Sequence, residues 1–259
     1  MTRVLPRTNF HSSKLIRCLI DLTLIETAET ANAFAEKLGT WIHFADAIAL
    51  SEVHNARPAS AAKLPDAAKS RARMAAGSEF ARIQTSLTDS INKSFSPKLG
   101  KTHIVLPVPQ LELPLDVAVA YVPYRRFYEA HQRDMELRIQ PLRTNVREAL
   151  AQVSPQLRKF AELDALLEKI LRERERQLLS TLPLLLKKHF VRLFTEHQQK
   201  LANRQLTDKQ LTDKSAGWVE AGGWLARFCN DLQQLLLAEL ELRLQPTVGL
   251  IETFDIHNE

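Results

Sequence analysis

The chain has 259 residues, 45% of them hydrophobic and 25% charged, with a formal net charge of +5. That length supports one large or two small domains with their own cores, and the balance is that of a soluble globular protein. It excludes a membrane span of roughly 18 or more uncharged apolar residues, because apolar runs such as Leu184-Leu-Leu186 and Leu235-Leu-Leu-Ala238 are short. The apolar stretch after Lys14 is broken by Arg17, Asp21 and Glu26, and no small-residue cleavage site follows it. No signal peptide is read there, so a cytoplasmic location is expected.

The first predicted helix runs from Ser12 or Ser13 to Thr27, on the stripe Leu15, Leu19, Leu22 and Glu26. A second starts near Thr30, with Phe34, Leu38, Trp41, Ala45 and Ile48 at spacings of four and three. Together they predict an N-terminal helical hairpin over residues 1–54. Between Asn55 and His103 stand nine Lys or Arg against three acids, so this segment holds an excess of six positive charges. Its first part, to Ala76, is rich in Ala, Pro, Lys and Arg with little periodicity, and reads as a mobile linker. A short helix from Ser78 to Phe95 follows, on Phe80, Ile83, Leu87 and Ile91. Five prolines between Ser96 and Pro123 predict extended, irregular chain laid across the helices.

No glycine occurs from Lys101 to Ala216, and the part beyond Pro123 is rich in helix formers. Residues 123–259 therefore read as a helical bundle. Pro123 is expected at the first turn of a long helix, and Pro141 is expected to kink or restart it. Ser154-Pro155 predicts a cap and a helix to about Ser180, with the stripe Phe160, Leu163, Leu167, Ile170 and Leu178. Thr181-Leu-Pro183 opens another, on Leu186, Phe190, Leu193 and Phe194. The last helix, Ala216 to Leu244, is apolar on most sides, which places it at the centre, and Pro246 is expected to end it.

The motifs of common chemistry are absent. There is no phosphate-cradling Gly-Lys-Ser loop, no dinucleotide glycine pattern, no Gly-x-Ser-x-Gly elbow and no Cys/His pair at zinc spacing. No catalytic, cofactor-binding or metal-binding residue is assigned. Cys18 and Cys229 lie inside apolar helical patterns and read as buried, reduced thiols.

All three tyrosines fall within Tyr121–Tyr128, the densest run of amphipathic side chains. On a helix, Tyr124, Tyr128, His131 and Met135 share one face, and Arg125, Arg126 and Arg133 flank it. Stacking aromatics beside arginines can hold nucleotide bases or an acidic partner. The other reading makes the aromatic face core, with Arg125 or Arg126 buried against an acid such as Asp164, Glu239 or Glu241. Glu239 stands on an apolar stripe and needs a partner. Lys69, Arg71 and Arg73 of the basic segment are the companion candidates for a phosphate surface.

The segments Leu5–Phe10, Pro123–Glu136, Trp224–Gln233 and Leu236–Pro246 resemble a proteobacterial domain-of-unknown-function family along the full length of the chain. The resemblance brings no catalytic residues. It implies genes beside a MotA/TolQ-like proton channel and an OmpA-like peptidoglycan binder, an arrangement similar to Zorya-type antiphage defence. The expected function is then a non-enzymatic accessory protein that binds other proteins of its operon. The alternatives are a nucleic-acid-binding effector and an enzyme without a local signature.

Gln205–Lys209 is repeated at once as Gln210–Lys214, which a chain tolerates best in an exposed loop or frayed helix end. Deleting Gln210 to Lys214 is expected to change stability by less than about 0.5 kcal/mol. Thermal melting of the two forms checks this, and a large fall would show that the repeat is packed.

Overall fold

The structure, a computed structural model, describes residues 13–25, 40–56, 65–96, 102–109, 116–205, 215–220 and 222–256. Among these residues every regular element is helical and no strand occurs, as the patterning predicts. The elements are α1 (Lys14–Asp21), α2 (Phe44–Asn55), α3 (Asp66–Phe95), α4 (Val117–Val153), α5 (Pro155–Leu179), α6 (Leu182–Gln205), a 3-10 turn (Ser215–Trp218) and α7 (Trp224–Ile256).

The last helix is the axis of the bundle. It packs against α1, α3, α4, α5, α6 and the 3-10 turn, whereas α2 docks on α5. Phe228, Leu232, Leu235 and Leu236 of α7 are wholly buried, and one hydrophobic core extends from Leu15 to Phe254. At its N-terminal end α7 joins an aromatic cluster. Phe228 meets Phe190 edge-on at 4.9 Å and Tyr124 at 5.5 Å, and Trp224 meets Phe190 at 5.2 Å. The entry to α7 needs glycine: Gly222 has φ +90°, and a Cβ on Gly223 would lie 2.3 Å from the Trp218 carbonyl oxygen.

Several helix limits differ from the sequence reading. The basic segment expected as a mobile linker is helical from Asp66 and forms one thirty-residue helix with the stretch after Ser78. Ala72 and Ala76 extend the stripe of Phe80, Ile83, Leu87 and Ile91 by two turns, and their small side chains hid the periodicity. Residues 57–64 lie outside the described residues, as do 26–39, which hold most of the predicted second helix. Helix α1 stops at Asp21, and Thr23 has φ 52°. The long central helix starts at Val117, where the Asp116 carboxylate accepts from the amides of Ala118 (2.9 Å) and Val119 (3.3 Å). Pro123 and Pro141 therefore lie inside α4, and Pro246 lies inside α7, which continues to Ile256.

The three internal prolines share one physical setting. A helical proline deprives the carbonyl four residues earlier of its hydrogen bond. Those earlier residues are Val119, Leu137 and Leu242, exposed at 55%, 74% and 37%. Each orphaned carbonyl thus belongs to the solvent side of its helix, where water can replace the lost donor.

Ser154 is the hinge of the α4–α5 hairpin, as predicted. Its extended backbone ends α4, its hydroxyl oxygen accepts from the Leu157 amide at 3.2 Å, and Pro155 starts α5. The predicted α5 stripe is not the buried one. Phe160, Leu167 and Leu178 are exposed, and Leu157, Ala161 and Leu179 are buried. The positions between them, Asp164 and Glu168, face α4 and pair with Arg143 (2.6 Å) and Arg147 (2.5 Å). Part of this helix interface is ionic, which a hydrophobic stripe cannot reveal. The proline-rich chain at 102–109 is irregular, and the Ser94 hydroxyl holds it on α3 by donating to the Ile104 carbonyl at 2.7 Å. The tandem repeat beyond Gln205 lies outside the described residues.

Ser154→Ala removes the cap that opens α5 and is expected to destabilise the protein by about 1 kcal/mol. A lower urea midpoint at unchanged slope is the outcome that checks it.

Candidate functional site

The tyrosine cluster is built into the core. Tyr121, Tyr124, Phe127, Tyr128, His131 and Met135 of α4 are all buried, Tyr128 and Glu239 completely. The Tyr128 hydroxyl donates to Glu239 Oε2 at 2.6 Å. Gln132 Nε2 donates to the same carboxylate at 3.0 Å and to the Leu179 carbonyl at 3.1 Å. Arg243, one turn along α7, completes the group with Nε at 2.8 Å and Nη2 at 2.7 Å from Glu239 Oε1. This network joins α4, α5 and α7. Burial, then the neighbouring Glu239 charge, holds the Tyr128 phenol well above its ordinary pKa. His131 packs edge-on against Phe127 at 4.8 Å, and burial lowers its pKa from 6.5 to about 4.

The arginines take the opposite side. Arg125 pairs with Glu129 on its own helix at 2.7 Å and is half exposed. Arg126 and Arg133 are exposed, with no ion pair among the described residues. The expectation that Arg125 or Arg126 is buried against Glu239, Asp164 or Glu241 is corrected. Glu239 is held by Arg243, Asp164 by Arg143, and Glu241 by Lys14 at 3.2 Å. The geometry explains the difference: the helix face that reaches α7 is the tyrosine face, so its flanking residues point away from the buried acid.

The basic candidates do not form one patch with these arginines. Helix α3 runs antiparallel to α4, as Phe95–Phe127, Ser86–Arg138 and Glu79–Asn145 contacts show. Lys69, paired with Asp66 at 3.1 Å, and the exposed Arg71 and Arg73 therefore lie toward the Ser154 end of α4. At 1.5 Å per residue that end is about 30 Å from Arg133. Tyr124, Tyr128 and His131, being buried, present no ring face on which a base could stack.

The α4–α5 hairpin and α7 enclose a cleft of about 350 Å³. Met135, Ile139 and Leu179 make its apolar floor. Its walls are charged and mostly paired: Arg176 with Glu136 at 2.9 Å, and Arg172 with Glu168 at 2.8 Å. Partial burial opposes charge on Glu168, but hydrogen bonds from Arg172 and Arg147 outweigh it and lower the pKa. Arg133 stands on the rim.

One grouping of catalytic residue types was not visible in the sequence. His189 of α6 donates from Nε2 to Asp231 of α7 at 2.7 Å, while its Nδ1 accepts from Arg192 at 2.9 Å. Arg192 also donates to the Leu22 carbonyl at 2.8 Å and to the Thr23 hydroxyl, which fastens the end of α1. Cys18 lies within electrostatic reach of Asp231, and burial, then that charge, raises its thiol pKa. Both ring nitrogens are engaged, so the imidazole is not free to activate the thiol. No cluster of His, Cys, Asp and Glu able to hold a metal occurs among the described residues, and no described helix is long and apolar enough to cross a membrane. Cys18 and Cys229 are free and half-buried.

Residues 1–256 match the model of the family described as "Protein of unknown function (DUF3348)". The chain belongs to that family. No curated protein and no solved structure matches it.

His131 links the buried cluster to pH. Its folded pKa, about 4, lies below the ordinary 6.5, so between these values the unfolded chain binds a proton that the folded one refuses. Its contribution to stability is complete above pH 6.5 and is lost as pH falls toward 4. The fall in melting temperature over this window is expected to be smaller in His131→Phe than in the parent, and parallel pH profiles would contradict the assignment.

Proposed function

We propose that the protein is a non-enzymatic accessory protein that holds a protein partner at the α4–α5 cleft and along the exposed Arg126–Arg133 edge. The observation that carries this reading is the cleft itself: an apolar floor between walls of paired charges. Such a surface suits the side chains of a partner helix better than a small charged substrate, because its charges largely cancel. Arg126 and Arg133, exposed and without an ion pair among the described residues, add positive charge at one edge, which favours a partner with acidic residues at its margin.

The resemblance of the chain supplies the class of partner. Genes beside a MotA/TolQ-like proton channel and an OmpA-like peptidoglycan binder suggest a component of a proton-driven membrane complex, of the Zorya antiphage type. The protein would act from the cytoplasmic side of such a complex. The competing reading, a nucleic-acid-binding effector, now rests on the Lys69–Arg73 stretch of α3, since the aromatic rings are buried.

Affinity purification from native cells, with and without nuclease, separates the two. The partner reading predicts co-purifying operon proteins that survive nuclease and are lost in Arg126→Glu/Arg133→Glu, a variant whose stability stays within about 0.5 kcal/mol of the parent. Retention that disappears with nuclease, falls steeply with salt and requires Lys69, Arg71 and Arg73 would favour nucleic acid instead.

A further inference from the structure

A second cavity lies on another side of the bundle, between the proline-rich chain, the end of α3 and the start of α7. It measures about 530 Å³, within the range of roughly 300–1,000 Å³ usual for small-molecule pockets. Phe95, Leu106, Pro107, Pro109 and Leu225 give it apolar walls. None of its thirteen lining residues is charged, in a chain that is 25% charged. The α4–α5 cleft, by contrast, is lined by nine charged side chains. The two titratable groups of the cavity are also neutral at physiological pH. Burial pushes the Cys229 thiol up to about 12 and raises the Tyr124 phenol above its ordinary value.

Among the three tyrosines, Tyr124 is the exception. It is 3% exposed, and its hydroxyl is buried with no hydrogen-bond partner among the described residues. The neighbouring tyrosines of the same helix do find partners, Tyr121 at the Pro183 carbonyl and Tyr128 at Glu239. The Tyr124 hydroxyl lies within electrostatic reach of Cys229, which lines the same cavity. A buried donor without an acceptor is a standing cost to the fold. Polar side chains suited to an uncharged group surround the remaining wall. Gln233 Nε2 donates to Asn92 Oδ1 at 3.0 Å, and Gln233 Oε1 and Asn92 Nδ2 make no other hydrogen bond among the described residues. Asn230, exposed at the edge, makes no hydrogen bond among the described residues.

We propose that this pocket binds a neutral, largely apolar small molecule bearing a carbonyl group, with the Tyr124 hydroxyl donating to that carbonyl and the Asn92, Asn230 and Gln233 amides meeting its polar edge. An anion or cation would lose its hydration with no counter-charge among the described residues of the wall. A neutral carbonyl loses little and satisfies the buried Tyr124 donor at the cavity wall, which has no acceptor among the described residues. The site is separate from the α4–α5 cleft, so the proposal stands or falls independently of the partner reading.

The test is a titration of the full chain by amide-resolved NMR with three neutral probes, acetanilide, cyclohexanone and piperidin-2-one. Phenylacetate and benzylammonium serve as charged counterparts. At least one neutral probe is expected to shift the Leu106, Leu225, Ala226 and Cys229 signals saturably, and neither charged probe should do so. Tyr124→Phe is expected to weaken that binding about ten-fold, the value of one hydrogen bond, without lowering the melting temperature. Ala226→Trp, which fills the cavity, should abolish it, and the parent-like signals of α5 would show that this variant is folded. The proposal is overturned by saturable shifts for none of the neutral probes, by equal binding of a charged probe, or by Tyr124→Phe binding as the parent does.

Discussion

A carboxylate buried at the centre of the bundle sets the arrangement of its longest helices. Glu239 is wholly inaccessible, and it stands on a helix whose other inward positions are mostly leucine and phenylalanine. Moving a carboxylate into such surroundings is strongly unfavourable unless every oxygen is matched by donors. The Tyr128 hydroxyl, the Gln132 amide and the Arg243 guanidinium supply those donors, and the same Gln132 amide reaches the last turn of α5. Apolar packing alone would accept several rotations of α4 on α7. Only one brings Tyr128 and Gln132 onto the acid together.

That requirement divides α4 along its length. The face bearing Tyr121, Tyr124, Tyr128, His131 and Met135 turns to α6 and α7, so Arg126 and Arg133 are left in solvent. The internal prolines obey the same division, each removing a hydrogen bond from a carbonyl on the wet side. Among the cavities of the described residues are the mixed-charge α4–α5 cleft and the uncharged pocket beneath the proline-rich chain.

The helical class, the centrality of the last helix and the Ser154-Pro155 boundary were legible because each is written in local signals: periodicity, apolarity on every side, and cap chemistry. The α3 extension was missed because alanine packs without announcing a stripe. The α5 face was missed because its inward positions are Asp164 and Glu168, whose arginines lie 21 residues earlier on another helix. The sequence pattern makes Pro123 and Pro246 helix boundaries and Pro141 a kink or restart, whereas their effect depends on which side of the helix carries the orphaned carbonyl. The core reading of the tyrosine face was available in the sequence, but the pairing of Glu239 with Tyr128 joins residues 111 apart and has no local trace. The same holds for His189 and Asp231, and for the unpartnered hydroxyl of Tyr124.

The most direct test of the buried acid as organiser is a double-mutant cycle on Tyr128→Phe and Glu239→Gln, followed by denaturant unfolding. The account predicts that the two effects are non-additive, with a coupling of about 1–2 kcal/mol, because each change removes the same interaction. Effects that add within about 0.5 kcal/mol would show that Tyr128 and Glu239 contribute separately, and would contradict it.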